Sequence, residues 1–172
     1  MTETDTDSPA ATSPGTTERV SGRDAMGDRL AQLVECARRE LAILAPQLDP
    51  HWFNQSRVGT ALARFLTTHP QNRARLLVED AEQAVRDNDR VVSIARRLSD
   101  FLEIRRLGEQ DLGCREMFAL ADRVGVFHQG DTTRLEALFS ANDVRAAATL
   151  KQRFNEAWER SEPVTELRTA GL

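Results

Sequence analysis

The apolar positions of this chain switch repeatedly between two spacings. Met26, Leu30, Leu33, Val34 and Ala37 recur at helical intervals and share one face. Leu41-Ala42-Ile43-Leu44-Ala45 follows as a short continuous apolar run stopped by Pro46, the pattern of a strand buried on both faces. Val58, Ala61, Leu62, Phe65 and Leu66 predict an amphipathic helix that Pro70 closes off. Arg75-Leu76-Leu77-Val78 predicts a second strand. Val91, Ile94, Ala95 and Leu98 mark a third helix, with Asp87 or Asn88 placed to cap it. Phe101-Leu102-Glu103-Ile104 is a third strand. Met117 to Ala121 and Val124 to Phe127 predict two more, joined at Asp122-Arg123. So short a connection requires an antiparallel pair. Ser140-Ala141-Asn142-Asp143 resembles a capping box. It opens a long helix with an inner face of Val144, Ala147, Leu150, Phe154, Ala157 and Trp158, which Pro163 stops.

The order α-β-α-β-α-β-β-β-α defines an α/β protein. Its sheet is mixed but largely parallel, with helices on both faces, a late β-hairpin and a long C-terminal helix. Residues 1–18 hold no Val, Ile, Leu or aromatic side chain and cannot bury enough apolar surface to offset chain entropy. They read as a disordered acidic tail rich in Thr, Ser and Pro. Residues 19–165 then form one domain, and 166–172 a flexible C-terminus.

Charge changes the picture once it is divided. The net charge is −4, but the tail contributes Glu3, Asp5, Asp7 and Glu18 and no basic residue, so the rest of the chain is neutral. A neutral domain argues against a nucleic-acid binder of the usual basic kind. Cys36 and Cys114 lie far apart and lack metal-ligand spacing, which predicts two buried thiols in a reducing compartment. No stretch approaches the ~20 apolar residues of a membrane span. The N-terminus lacks the early basic and apolar segments of a signal or transit peptide. The expectation is a cytoplasmic protein.

Candidate chemistry concentrates in the loop after the first strand, Pro46 to Ser56. Ligands of open α/β sheets bind beyond the carboxyl ends of parallel strands. There Asp49 and His51 form a candidate proton-transfer pair, and Asn54 or Ser56 a candidate cap for the next helix, whose terminus suits an anion. The plainer alternative has Trp52 and Phe53 anchoring the loop, Asp49 bonded to turn backbone and His51 exposed. Glu79 and Asp80 end the second strand near the same edge, and Asp80 serves equally as a helix cap. His51, His69 and His128 share no ligand spacing. Cys114 has no partner base nearby in sequence. No cofactor is implied, and no Gly-rich phosphate loop is present.

The late hairpin and final helix resemble one half of a phospholipase D-like domain, over about Leu30 to Pro163. In that superfamily the hairpin carries His-x-Lys-x4-Asp: a His nucleophile, a Lys that binds phosphate and an Asp that supports the His. The matching stretch here is Arg115 to Asp122. Asp122 stands at the Asp position, Arg115 at the His position and Met117 at the Lys position. The Gly-Ser-x-Asn segment that often follows is absent. The resemblance implies a degenerate domain similar to those of uncharacterised bacterial proteins. An always-protonated guanidinium cannot attack phosphorus, and a thioether cannot hold phosphate. The resemblance also implies pairing of halves, hence a homodimer.

Three functions follow as expectations. The first is a non-catalytic phospholipase D-like module that binds a phosphate-containing ligand or a protein partner. The second is a nucleic-acid or phosphate binder using Arg105, Arg106 and Arg115. The third is an enzyme of new chemistry using Asp49, His51 and Asp80. The expected ligand pocket comprises Asp49, His51, Asn54, Asp80, Arg106, Arg115 and Asp122, with no metal.

Overall fold

The computed structural model describes residues 15–167. Its elements run β1 (Glu18–Ser21), α1 (Arg23–Cys36), β2 (Glu40–Leu44), α2 (Pro50–Phe53), α3 (Ser56–Thr68), β3 (Arg73–Val78), α4 (Ala81–Asp87), α5 (Asp89–Arg97), β4 (Leu102–Arg106), β5 (Met117–Ala121), β6 (Gly125–Gln129), β7 (Glu136–Ser140), α6 (Val144–Arg160) and β8 (Glu162–Pro163). One eight-stranded sheet has the order β1-β7-β6-β5-β2-β3-β4-β8. β2, β3 and β4 are parallel, and every other pairing is antiparallel. The mixed α/β architecture with its late hairpin is therefore observed, but the sheet is largely antiparallel rather than largely parallel, because helical crossovers join only β2 to β3 and β3 to β4.

The continuous apolar runs are central strands buried on two sides. In β2, Leu41 and Ile43 enter the core beneath α1 to α5, while Ala42 and Leu44 enter the core beneath α6. In β5, Met117, Ala119 and Ala121 face the first core, and Phe118 and Leu120 the second. The helices are unevenly shared: α6 alone packs on the second face, across β2, β5 and β6. Its anchor is Phe154, fully buried, whose burial contributes about 2–3 kcal/mol.

Several local expectations are corrected. Glu18 is not tail: it opens β1, pairs opposite Phe139 and holds Arg29 at 2.9 Å. Residues 1–14 lie outside the described residues. At the other end Leu167 is buried in a 3-10 turn, so the domain runs past 165, and 168–172 lie outside the described residues. The α6 cap is Asp143, which accepts from the Ala146 N–H at 3.0 Å; Ser140 bonds Asn142 instead. Val144 is 60% exposed, because the first residue of α6 projects beyond the sheet. Trp158 is half-buried, its ring flanked by the Arg75 and Arg105 guanidinium groups at 5.2 and 4.6 Å. Asn88 occupies the N-cap position of α5, as expected, but its side chain makes no cap bond. Asn88 donates to Leu48 and Ala84 carbonyls, and Asp87 accepts from Gln83 and Arg86. Cys36 is exposed rather than buried.

The hairpin depends on two special positions. Asp122 has φ 56°, a left-handed conformation that asparagine and aspartate tolerate better than most residues. At Gly125 a Cβ would lie 3.0 Å from the Ala121 Cβ and 2.9 Å from Leu33, so only glycine lets β6 close on β5 beneath α1.

Candidate functional site

β2 and β3 end side by side, and β5 starts beside the end of β2 on the edge away from β3. The loops after β2 and β6 and before β5 enclose a cavity of about 680 Å³. Its apolar wall is Pro46, Trp52, Phe53 and Met117. Trp52 is fixed by its indole N–H, which donates to the Arg23 carbonyl at 2.9 Å, and by edge-on contact with Phe127. The polar wall includes Asp49, Glu79, Gln83, Arg115 and Gln129.

Most of these polar groups are already engaged. Asp49 caps α2: its carboxylate accepts from the His51 backbone N–H at 2.9 Å and from Arg23 at 3.1 Å. Glu79 accepts from the Gly113 N–H at 3.0 Å, tying the end of β3 to the approach to β5. Gln129 donates to the Arg134 carbonyl. Two groups differ. Arg115 is exposed at the cavity and makes no ion pair among the described residues. The Gln83 side-chain oxygen is buried without a partner, while its nitrogen bonds Asp87. A buried acceptor left open costs about 1–3 kcal/mol.

The expected pocket only partly assembles. Asp49 and Arg115 line this cavity. Asp80 and Arg106 line a separate acidic groove of about 720 Å³ beside it, which Glu79 shares. Asp80 caps α4 by accepting from the Gln83 N–H at 2.9 Å, and Arg106 holds Glu162 at 2.8 Å. His51 turns its ring outward to Asp24 at 3.1 Å, so it is no proton-transfer partner of Asp49. Asn54 caps α5, accepting from the Arg90 N–H at 3.1 Å, rather than α3. The α3 N-cap is Gln55, with no side-chain cap bond.

Asp122 lies at the opposite end of the sheet. Its carboxylate accepts from the backbone N–H groups of Arg38, Arg39 and Glu40 at 3.0, 2.7 and 3.1 Å. Five residues of β5 separate it from Arg115, so it supports the turn and not the cavity. With Asp49, His51 and Asp80 turned to different partners, the geometry of the third expectation does not form. The second also loses a common surface. Arg105 stacks on Trp158 and pairs with Glu103 at 2.7 Å, under α6 and away from Arg115.

One cluster went unforeseen. Glu116 holds His128 at 2.8 Å and the Arg153 guanidinium of α6. Burial pushes the Glu116 carboxyl up, but hydrogen bonds from Arg153 and His128 outweigh it and hold it below the usual carboxylate value. Glu116 and His128 are diagonal neighbours, since Phe118 pairs opposite His128. His69 accepts from the Gln71 N–H through Nδ1 at 3.1 Å. Among the described residues no three His, Cys, Asp or Glu side chains group as metal ligands. No helix among them is long and apolar enough to cross a membrane.

Comparison with known proteins gives three results. A family model, Domain of unknown function (DUF7931), matches residues 22–170. Curated protein sequences give no match. Solved structures share the fold. TrmBL2, an archaeal chromatin protein with a novel mode of DNA binding, aligns with a TM-score of 0.64 and 18% identity, over 90% of this chain and 57% of its own. Nuc, a phospholipase D family member from Salmonella typhimurium, gives 0.64 and 13%, over 87% of this chain and 98% of its own. NucT from Helicobacter pylori gives 0.60 and 13%, over 87% and 99%. At such identities the likeness establishes a phospholipase D-type frame.

Proposed function

The chain belongs to the DUF7931 family, and we propose that it uses a phospholipase D-type frame as a non-catalytic module that binds a ligand in the cavity at the carboxyl ends of β2 and β3. One observation carries the reading. Arg115 and Met117, at the positions the superfamily gives to its His and Lys, both line that cavity. A guanidinium stays protonated and cannot attack phosphorus. Neither other candidate base is in place, since His51 and His128 are not among the residues that line the cavity.

What remains suits recognition. Arg115 supplies an unpaired fork of donors for a carboxylate or phosphate group. Trp52, Phe53 and Met117 supply an apolar wall. This describes a small anionic ligand with an apolar part. The exposed side chains of Leu112 and Leu135 flank the same edge, which favours a second copy covering it as a homodimer.

The test has two arms. Incubation with bis(4-nitrophenyl) phosphate is expected to give no release above the blank. Turnover lost in Arg115→Ala would overturn the non-catalytic reading. In thermal-shift titration, inorganic phosphate, benzoate and adenosine monophosphate serve as probes. At least one is expected to raise the melting temperature in the wild type and not in Arg115→Ala. No rise with any probe removes the ligand reading, and a monomer in sedimentation removes the dimer.

A further inference from the structure

The amino ends of the parallel strands carry a second surface, independent of the cavity. The Asp122 carboxylate draws the backbone of Arg38 and Arg39 against the hairpin turn, and Arg123 follows Asp122 in that turn. The Arg73 N–H donates to the Arg39 carbonyl at 3.0 Å, bringing the start of β3 alongside. The Asp143 N–H donates to the Val124 carbonyl at 2.7 Å, which docks the first turn of α6, with Arg145, beside the same turn. Backbone hydrogen bonds thus gather Arg38, Arg39, Arg73, Arg123 and Arg145 at one end of the molecule, all exposed.

Their clustering sets these residues apart. Arg29 holds Glu18, Arg57 Glu35, Arg106 Glu162, Arg153 Glu116 and Arg160 Asp111. Arg19, Arg64, Arg75, Arg90, Arg96, Arg97 and Arg115 make no salt bridge among the described residues, but they are not gathered at one turn as these five are. Among the described residues none of the five arginines at the amino end makes a salt bridge. The local carboxylates are committed otherwise. Asp122 binds three backbone N–H groups, Asp143 caps α6, and Glu40 holds Lys151 at 2.7 Å. The neutral charge of the folded part therefore hides a separation, with carboxylates crowded around the groove at one end and unpaired arginines at the other.

We propose that this arginine end binds the phosphate backbone of a nucleic acid. Clustered guanidinium groups give fork-shaped donors matched to phosphate oxygens, and their charge persists at every physiological pH. Asp143 already satisfies a free N–H of α6, so the side chains and not the helix terminus carry the contact. A lipid surface would require an apolar face beside the basic one. Among the described residues Val144 is the one large apolar side chain of this end with marked exposure. The ring beside these arginines, half-buried Phe101, is covered by the Arg73 guanidinium at 5.0 Å. Among the described residues no exposed aromatic stands there to stack on bases, so the contact is to backbone and independent of sequence.

The experiment is fluorescence anisotropy of a labelled random-sequence DNA duplex titrated with the full chain over a series of salt concentrations. Binding is expected at low salt, weakening as salt rises. Each arginine–phosphate contact contributes about 0.9 to the logarithmic salt slope. The triple variant Arg38→Ala, Arg123→Ala, Arg145→Ala should lower that slope by about 2–3 and weaken binding at least ~10-fold at low salt. Arg57→Ala, which removes an equal but ion-paired charge, should bind like the wild type. A thermal melt of each variant checks the fold, and Arg123→Glu alone serves should the triple variant be unstable. The proposal is overturned by no anisotropy change at low salt, by a folded triple variant that binds like the wild type, or by binding to phosphatidylglycerol vesicles without binding to the duplex.

Discussion

At the carboxyl end of the sheet Asp49, Glu79, Asp111 and Glu116 each accept from a defined donor, and the cavity keeps one unpaired arginine. At the amino end one carboxylate, Asp122, is occupied by three backbone N–H groups, and the arginines around it have no acidic partner. Asp122 performs a structural task, holding the turn of the hairpin to the start of β2. Arg115 and Met117 line the cavity. The proposed non-catalytic function accounts for the contrast: a change at the cavity spares the fold, whereas a change at Asp122 would not.

This sets the largest expected effect. Asp122→Ala removes a charged acceptor from three N–H groups and places alanine at φ 56°, where a Cβ is strained. The combined cost is about 3 kcal/mol in urea unfolding. Asp122→Asn keeps an acceptor oxygen and tolerance of the left-handed backbone, so it should lose about half as much. Equal losses would show that charge alone matters there.

Glu116 comes next and tests the carboxyl end. Its carboxyl titrates below the ordinary value in the folded chain. The stabilisation is thus full at neutral pH and disappears as pH falls through the acid range below about 4. Glu116→Gln should cost about 1–2 kcal/mol at neutral pH, because Arg153 and His128 lose a half-buried anion. The gap between variant and wild type should be smaller at acid pH than at neutral pH. A gap of the same size at both pH values would mean that packing of Glu116, not its charge, supports the strand.

Much of the frame was legible because two-sided burial writes continuous apolar runs. β2, β3 and the hairpin strands β5 and β6 fall where Leu41, Leu76, Phe118 and Val126 predict. β1 was hidden, since Val20 is its one buried side chain and an edge strand needs little more. β7 was hidden because Leu138 points to solvent, 43% exposed, against the simple alternation of inward apolar residues. Sites were less legible than strands. Asp49 and His51 lie two apart in sequence, yet the short helix between them sends the side chains in different directions. Glu116, His128 and Arg153 meet only through strand register and the placement of α6, neither of which local spacing records. The arginine end escaped for the same reason: Arg38, Arg73, Arg123 and Arg145 are scattered along the chain and gathered by backbone hydrogen bonds.

The smallest effect on stability is the sharpest probe of the comparison. Arg123 is exposed, and its side chain makes no hydrogen bond among the described residues. Its charge helps hold the Glu40 carboxyl below the ordinary value, after the larger hydrogen bond from Lys151. It also follows Asp122, whose carboxylate holds the backbone of Arg38 and Arg39, so three like charges share this turn. Removing it loses a weak attraction and relieves a weak repulsion, so Arg123→Ala should change unfolding free energy by no more than about 0.5 kcal/mol. Arg153→Ala, which strands Glu116, should cost about 1–2 kcal/mol. If Arg123→Ala proved the more damaging of the two, the arginines of the amino end would be part of the scaffold. The smaller loss expected for Arg123 would instead mark residues that the fold can spare, which is the condition for a surface reserved for a polyanion.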